Sequence, residues 1–427
     1  MAFSSNDVIH VIGTDAAGLE HLSPHLQELV LSAANLAAPR RLMESVTTWF
    51  MDQKVSELPE LKTTDKPEEL IRWLLERHSN TVVLASGDPL WFGIGRRLLQ
   101  EFSASQLHFY PAPSSMQLAF ARLGRPWQDA EWISLHGREP EVLAIALQKR
   151  PSALAVLTNP MEGGVETVRR TLCSSGLESS YQFWLAENLG HASERLQQIK
   201  SGASLPTDVH PLNLIVLLAC QPAPPDPKTL PLFGIDDGQF LQQRDRPGLM
   251  TKREIRIQLL ADLDLPARGI LWDLGAGTGS VGLEALRLRP ELKLLSVEQR
   301  SGGAVLIKAN AERLGVFPKA VVEGDALNLM RRGNLTEELC PPNRVLLGGG
   351  GQRRIELLEA VLNHLSPAGR VVIPLATLEA VAELRQVMEG YGLSVQLRQH
   401  QIWRGQPLSD GSRLAPMNPV FILRGQT

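Results

Sequence analysis

Cysteine and long apolar segments are both scarce in this chain. Its three cysteines, Cys173, Cys220 and Cys340, are isolated and odd in number, so they predict neither a disulfide framework nor a zinc site. The longest apolar run, residues 214–220, is far shorter than the roughly 20 residues that a membrane-spanning helix needs. Residues 1–7 lack the basic and apolar regions of a signal peptide. We therefore expect a reduced, soluble, cytoplasmic protein with no membrane partner and no metal site.

An excess of positive charge is also absent. Lysine and arginine number 43 against 46 aspartates and glutamates, and the formal net charge is −3. Proteins that bind nucleic acid or an anionic membrane through charge carry a basic surface, so we expect no nucleic-acid partner. Hydrophobic residues make up 43% of the chain, as in ordinary globular proteins, and its 427 residues suffice for two or three domains.

A proline-rich stretch divides the sequence. Residues 221–227 read Gln-Pro-Ala-Pro-Pro-Asp-Pro, and Pro231 follows shortly afterwards. Such a segment forms neither a helix nor a central strand, and it acts as a semi-rigid spacer. We therefore expect a first domain at residues 1–220, a linker at 221–233 and a second domain at 234–427.

The second half is organised around a glycine-rich turn. Residues 270–280 read Ile-Leu-Trp-Asp-Leu-Gly-Ala-Gly-Thr-Gly-Ser, which predicts a buried strand, a tight turn and a helix over residues 281–289. Glycine lets the backbone turn sharply and lets a ligand approach closely. The N-terminus of the helix then presents unpaired N–H groups to that ligand. Two adenosine cofactors, NAD and S-adenosylmethionine (SAM), bind to turns of this kind.

Four details of this region favour SAM over NAD. The dinucleotide fingerprint is G-x-G-x-x-G, whereas the spacing here is G-x-G-x-G and Ser280 follows. Asp273 would repel a pyrophosphate but would suit a cationic methionine. A second apolar strand ends at Glu298, which is placed to accept hydrogen bonds from both ribose hydroxyls, and an acidic loop suited to adenine includes Asp325. An NAD-dependent oxidoreductase is the alternative.

These features resemble the class I SAM-dependent methyltransferases. More specifically, residues 234–424 resemble the decarboxylating precorrin methylase domain, through motifs at 250–254, 271–280, 323–326, 378–379 and 415–420. The resemblance implies a Rossmann-like α/β/α sandwich. The expected cofactor-binding residues are Thr251, Asp273, Gly275, Ala276, Gly277, Thr278, Gly279, Glu298, Asp325 and Ala326.

The helix that begins near residue 251 carries two further expectations. Thr251 and Glu254 have the spacing of a capping box, so Thr251 is expected to cap this helix as well as to cover the SAM pocket. Arg253 is a suspected substrate contact. The four glycines at residues 348–351 predict either close approach of the backbone to a ligand or a flexible turn.

In the first half, loops that follow four predicted strands share a second resemblance. They lie at residues 85–89, 113–122, 135–138 and 187–190, and they resemble the tetrapyrrole (corrin and porphyrin) methylase family, specifically its precorrin-6Y methylase branch. The family fold consists of two α/β subdomains with SAM in the cleft between them. The expected site residues are Gly87, Asp88 and Ser115 for SAM, and His136 and Arg138 for substrate.

Purely structural interpretations of these loops stay open. Ser114 and Ser115 are also suited to capping the helix that follows them, and His136 and Arg138 to satisfying a strand end. The first loop departs from the family pattern, because Asp15-Ala16-Ala17 stands where a Gly-Pro-Gly step is usual. Since that loop normally lines the substrate side, a protein with a silent first domain is a further alternative.

Taken together, the two resemblances imply an α/β enzyme with one SAM in each domain. Its substrate would be a precorrin tetrapyrrole, methylated at carbons 5 and 15 with loss of carbon dioxide from a ring acetate, giving precorrin-8 in cobalamin biosynthesis. They also imply a homo-oligomer. The meso carbons of a reduced tetrapyrrole are nucleophilic enough to attack a sulfonium directly, so proximity and orientation are the main catalytic needs. A nucleic-acid methyltransferase, which would require a basic patch, is the alternative within this class.

Overall fold

The computed structural model describes residues 8–55, 57–77, 80–136, 141–160, 163–243, 248–332, 335–348, 351–407 and 411–427. Two compact units are present, each described by itself below. The first unit contains two five-stranded sheets, and the second unit contains a seven-stranded sheet and a two-stranded hairpin. Within the described ranges, no helix combines the length and the apolar character needed to cross a membrane.

The first sheet of the first unit is parallel, with the order β3-β2-β4-β1-β5. Its strands are β1 (Ile9–Thr14), β2 (Asn35–Ala38), β3 (Glu60–Thr63), β4 (Thr81–Ser86) and β5 (Leu107–Tyr110). The helices of this part of the chain are α1 (Pro24–Leu31), α2 (Met43–Asp52), α3 (Pro67–Leu75), α4 (Gly95–Glu101) and α5 (Ser115–Arg122). Ile12 and Leu84 belong to one apolar cluster and Val11 and Val83 to another, because alternate side chains point to opposite covered faces.

The second sheet is mixed, with the order β6-β7-β10-β8-β9. Its strands are β6 (Ala130–Ser134), β7 (Ala153–Leu157), β8 (Tyr181–Glu187), β9 (Arg195–Ile199) and β10 (Asn213–Ala219). Met116 and Phe120 of α5 pack on its inner strands. The helices α6 (Glu141–Lys149) and α7 (Gly164–Ser174) follow β6 and β7, and α6 and most of α7 belong to the second unit.

The seven-stranded sheet has the order β13-β12-β11-β14-β15-β19-β16, in which only β19 runs antiparallel to its neighbours. The strands of the second unit are β11 (Gly269–Leu274), β12 (Leu292–Glu298), β13 (Ala320–Glu323), β14 (Arg344–Leu347), β15 (Arg370–Leu375), β16 (Ser394–His400), the hairpin β17 (Trp403–Pro407) and β18 (Ser412–Pro416), and β19 (Val420–Gln426). Its further helices are α8 (Arg253–Leu263), α9 (Ser280–Leu288), α10 (Gly303–Leu314), α11 (Ala326–Arg331), α12 (Arg354–His364) and α13 (Leu378–Gly390). Apolar clusters cover both faces of the sheet, which confirms the expected α/β fold class with a Rossmann-like sandwich.

A buried ion network fixes α8 within the second unit. Arg256 is fully buried, and its Nη1 donates to Asp237 Oδ1 at 2.7 Å while its Nε donates to Glu284 Oε1 at 2.9 Å. Glu284 also accepts the backbone N–H of Gly234 at 2.6 Å. Each buried charge therefore has an opposite charge and hydrogen bonds, as burial in a low-dielectric interior requires. We call Asp237, Arg256 and Glu284 the Arg256 network.

Candidate functional site

The glycine-rich turn between β11 and α9 lies at the carboxyl edge of the seven-stranded sheet. Gly275, Gly277 and Gly279 have φ angles of +76°, +59° and +76°, a left-handed conformation that other residues rarely adopt. A Cβ on Gly277 would meet no described atom within 4 Å, so the backbone there faces open space. A Cβ on Gly348 would lie 2.8 Å from the Gly275 carbonyl oxygen, so glycine at 348 serves the close approach of two loops. Gly349 and Gly350 lie outside the described residues.

Glu298, at the end of β12, is joined to this turn. Its carboxylate is buried, and it accepts the N–H of Gly277 at 2.7 Å and the N–H of Arg300 at 3.0 Å. A carboxylate has about four acceptor positions, so two remain for ribose hydroxyls. A Cβ on Gly303 would lie 2.4 Å from Glu298 Cγ, so the unusual glycine at 303 makes room for this side chain.

Asp325 and Thr278 complete this edge. Asp325 caps α11, where its Oδ1 accepts the N–H of Asn328 at 2.8 Å and its Oδ2 accepts a hydrogen bond from Arg353 at 2.5 Å. The Thr278 hydroxyl is buried and has no hydrogen-bond partner among the described residues, which is unusual for a polar atom. An unpartnered hydroxyl and an open glycine cradle beside a buried carboxylate fit an adenosine cofactor such as SAM.

The Asp273 carboxyl group lies against the start of α9. Its Oδ2 accepts the N–H of Gly282 at 3.1 Å, in the first turn of α9, and a Cβ on Gly282 would lie 2.7 Å from that oxygen. The carboxyl group therefore satisfies one of the free N–H groups at a helix start. Burial, together with the charge of Glu298 and opposed by the bond from Gly282, raises the pKa of Asp273 to about 7. Its contact with a cationic methionine stays a prediction.

The raised pKa of Asp273 predicts a pH-dependent stability. The pKa of this carboxyl rises from 3.8 in the unfolded chain to about 7 in the folded one, so its stabilising contribution is complete below pH 4. As the pH rises from about 4 to about 7, this contribution is lost and the free energy of unfolding falls by on the order of 4 kcal/mol. We expect Asp273→Asn to remove this dependence when urea unfolding is measured without SAM at a series of pH values. Parallel curves for the two proteins would contradict it.

The predicted capping box at α8 is wrong. The helix begins at Arg253 with Lys252 as its N-cap, and no side chain caps it. The Glu254 carboxylate instead accepts two hydrogen bonds of 2.8 Å from Arg404, because a guanidinium matches a carboxylate in geometry and charge. Arg253 donates to the Gly234 carbonyl at 2.5 Å. The ligand-binding roles expected for Thr251 and Arg253 stay predictions.

In the first unit, the carboxyl ends of strands from both sheets surround a cavity of about 470 Å³. The predicted residues Gly87, Asp88, Ser115 and His136 all line it, so expected site residues from three separate loops meet at one place. Its volume is in the range of pockets that enclose a small ligand. The predicted substrate contact Arg138 lies outside the described residues.

Ser114 and Ser115 lie at the start of α5, and only Ser114 is its N-cap. Ser114 is the N-cap, because its Oγ accepts the N–H of Gln117 at 3.3 Å while Gln117 Oε1 accepts the N–H of Ser114 at 2.8 Å. Capping is therefore confirmed for Ser114, and both Ser114 and Ser115 line the cavity. Gly87 has a φ of +63°, and a Cβ there would lie 3.2 Å from Ser114 Cα. The two loops thus pass each other closely at the wall of the cavity.

The unusual first loop is accommodated by its surroundings. Asp15 Oδ1 accepts the N–H of Ala17 at 2.9 Å, and Asp15 Oδ2 lies 2.6 Å from His21 Nδ1. The hydrogen bond to Asp15 raises the pKa of His21. A Cβ on Gly190 would lie 2.8 Å from Asp15 Cβ, so glycine at 190 provides the space for this aspartate. Asp15 and Ala16 therefore line the cavity without filling it.

Several cavity residues were missed by sequence reasoning. They include Arg41, Trp91 and Phe92. Trp91 and Phe92 lie two and three residues after the predicted loop at residues 85–89, so their closeness to that loop in the sequence could have identified them as cavity residues. Arg41 follows β2, a strand that the sequence pattern did not indicate.

Comparisons with known proteins match both halves of the chain. The family model of tetrapyrrole (corrin/porphyrin) methylases matches residues 8–202, and that of the precorrin methyltransferase domain matches residues 243–426. A precorrin-6Y C(5,15)-methyltransferase (decarboxylating) from Sinorhizobium sp. is 32% identical over 413 residues, covering 96% of this chain and 94% of the relative. The chain belongs to the precorrin-6Y C(5,15)-methyltransferase (decarboxylating) family.

Other relatives match one part of the chain. A probable cobalt-precorrin-6B C(15)-methyltransferase (decarboxylating) from Pyrobaculum aerophilum is 34% identical over 192 residues, covering 44% of this chain and 94% of the relative. The crystal structure of a precorrin-6Y C5,15-methyltransferase from Geobacter metallireducens is 26% identical and covers 46% of this chain and 98% of that chain, with a TM-score of 0.41. Membership of a methyltransferase family confirms the use of SAM and excludes the NAD-dependent alternative.

Proposed function

We propose that the chain methylates a precorrin macrocycle at carbons 5 and 15 and removes carbon dioxide from a ring acetate, giving precorrin-8 in cobalamin biosynthesis. The observation that carries this proposal is the match over 96% of the chain to a relative with that name. Residues 1–220 and 234–427 form the two catalytic domains, joined by the linker 221–233, and each domain binds one SAM. We also propose a homo-oligomer, as the family resemblance implies.

The second domain is assigned methylation at carbon 15 with decarboxylation. The match to a relative named for that reaction alone supports this assignment. When bound, SAM supplies an electrophilic methyl group. Glu298 would accept hydrogen bonds from the ribose hydroxyls, the turn at Gly277 would support the methionine portion, and the loop at Asp325 and Ala326 would border the adenine. Loss of the acetate carboxyl as carbon dioxide leaves an electron pair that the adjacent imine-like ring of the substrate accepts.

The first domain is assigned methylation at carbon 5. Gly87, Asp88 and Ser115 would hold SAM in the cavity, and His136 and Arg138 would contact the substrate. The nucleophile is the meso carbon of the macrocycle, so the described residues need only align that carbon with the methyl group and exclude water. The accommodation of Asp15 by Gly190 supports an active first domain over a silent one.

Mass spectrometry of the product tests this function. Full-length protein is incubated with SAM and precorrin-6B, and we expect the product to gain two methyl groups and to lose carbon dioxide. One added methyl group with loss of carbon dioxide would show that the first domain is inactive. An unchanged substrate would refute the proposed function and return attention to other methyl acceptors.

A further inference from the structure

The cavity of the first unit is large enough for one small ligand, but a tetrapyrrole with its side chains is larger. At about 470 Å³ it lies within the range of pockets that enclose a cofactor-sized molecule. If SAM fills it, the macrocycle must lie across its opening. Residues that both line the cavity and are exposed mark that opening, and they include Arg41, Ser86 and Phe92.

Arg41 is the one arginine or lysine among the described residues that line the cavity. Its Nη2 donates to Ser86 Oγ at 2.7 Å, so the guanidinium is held at the opening. The acidic residues that interact electrostatically with the Arg41 guanidinium are Asp15 and Asp65. Asp15 is bonded to His21 and Ala17, and Asp65 accepts the backbone N–H of Arg40 at 2.9 Å.

The guanidinium of Arg41 therefore keeps donors for another anion. Within the described part of the chain it forms one hydrogen bond, to a neutral hydroxyl, and no ion pair. Planar guanidinium groups bind carboxylates through two parallel hydrogen bonds. A carboxylate at the edge of a ligand lying over the opening would satisfy this geometry.

Phe92 supplies an apolar surface at the same cavity. Its φ of +52° is a strained conformation for an aromatic residue, and 47% of its surface is exposed. The ring contacts Trp91 edge to face, with centroids 5.0 Å apart. A Cβ on Gly93 would lie 2.4 Å from the Pro89 carbonyl oxygen, so this loop is tightly closed. A strained aromatic residue that is half exposed at the edge of a cavity indicates a binding surface.

We propose that Arg41 and Phe92 form a docking rim for the tetrapyrrole in the first unit. Arg41 binds a peripheral carboxylate of the macrocycle, and the ring of Phe92 packs against its apolar face. This inference rests on the proposed function and adds the residues that position the substrate for methylation at carbon 5. Both are positioning residues, since neither needs to touch the carbon that accepts the methyl group.

Arg41→Gln in the full-length protein tests the cationic half of the rim. A charge-assisted hydrogen bond is worth roughly 1.5–3 kcal/mol, so we expect KM for the tetrapyrrole in carbon-5 methylation to rise by about 10- to 100-fold. The Kd of SAM, measured by calorimetry, should stay within about twofold, because Arg41 is assigned to the substrate. Arg41→Lys should recover part of the loss.

The neighbouring Arg40→Gln is the matched control. It removes an exposed arginine one residue away that does not line the cavity, and we expect KM to remain unchanged. An equal effect of both substitutions would reduce the role of Arg41 to general charge, and a weakened Kd for SAM would assign it to the cofactor carboxylate. Either result overturns the proposal. If wild-type protein makes no carbon-5 product, the proposed function fails, and absorbance titration of the tetrapyrrole with wild-type and Arg41→Gln proteins still tests the rim.

Two substitutions of Phe92 separate binding from stability. Phe92→Gly relieves the strained φ, so we expect an unchanged or higher Tm together with a KM for the tetrapyrrole that rises roughly tenfold. Phe92→Leu keeps the strain and removes the aromatic ring, and it should raise KM without raising Tm. A Phe92→Gly protein that loses stability while keeping its KM would show that the ring only supports the fold.

Discussion

Replacing Glu298 by alanine is expected to abolish methylation at carbon 15 and decarboxylation, while methylation at carbon 5 continues. The Glu298 carboxylate accepts the N–H groups of Gly277 and Arg300, and its remaining acceptor positions are assigned to the ribose of SAM. Hydrogen bonds to a charged group contribute roughly 1.5–3 kcal/mol each. Loss of two ribose bonds and of the support for the turn should therefore raise the Kd of SAM in the second domain by at least about 100-fold.

Calorimetric titration with SAM and mass spectrometry of the product check this expectation. One of two binding events should disappear, and the product should gain a single methyl group without losing carbon dioxide. Glu323→Ala is the matched control, because Glu323 lies beside Glu298 in the neighbouring strand and is exposed. Equal loss of both methylations, or an effect of Glu323→Ala as large as that of Glu298→Ala, would contradict the assignment of separate sites.

Arg256→Met is expected to reduce the free energy of unfolding of the second unit by about 3–5 kcal/mol. The substitution leaves the carboxylates of Asp237 and Glu284 buried without their countercharge, which costs more than the pair contributes when intact. Arg404, whose Nη2 lies 4.0 Å from Asp237, is already bonded to Glu254 and cannot replace both contacts.

Urea unfolding followed by tryptophan fluorescence measures this change, since Trp272 is buried in the second unit. Arg385→Met provides the control. The Arg385–Glu389 pair is exposed on α13, so it should contribute less than about 1 kcal/mol to the free energy of unfolding. Similar losses for the two variants would show that the Arg256 network is not the stabilising feature.

Local sequence patterns predicted the second-unit site because its parts follow strand ends directly. Each part lies within a few residues of a strand end, where hydrophobic periodicity and turn-forming residues are enough to predict the local structure. These parts are the apolar run before Asp273, the glycines at Gly275 and Gly277, and the acid that ends β12. Asp273 itself shows the limit of this reasoning. The sequence shows that Asp273 lies two residues before the first glycine of the turn, but its burial beneath the start of α9 depends on how that helix packs.

Features set by distant residues were not predictable in the same way. The strand β2 reads Asn-Leu-Ala-Ala, a composition with weak strand preference, and it forms because it lies between β3 and β4 in a buried sheet. Because the sequence pattern does not predict β2, it also does not predict that Arg41 follows the end of a strand. Glu254 had the local spacing of a cap, but its partner is Arg404, which no pattern near residue 254 reveals.

The position of β19 has a consequence for synthesis of the protein. This strand is translated after β16, yet it lies between β15 and β16 in the sheet. Until residues 420–426 emerge from the ribosome, β15 ends the sheet with unpaired backbone groups and β16 has no neighbour within it. Exposed strand edges pair readily with other chains. A nascent chain therefore carries an aggregation-prone surface from the synthesis of β15 until residues 420–426 are made, and only the last strand removes it.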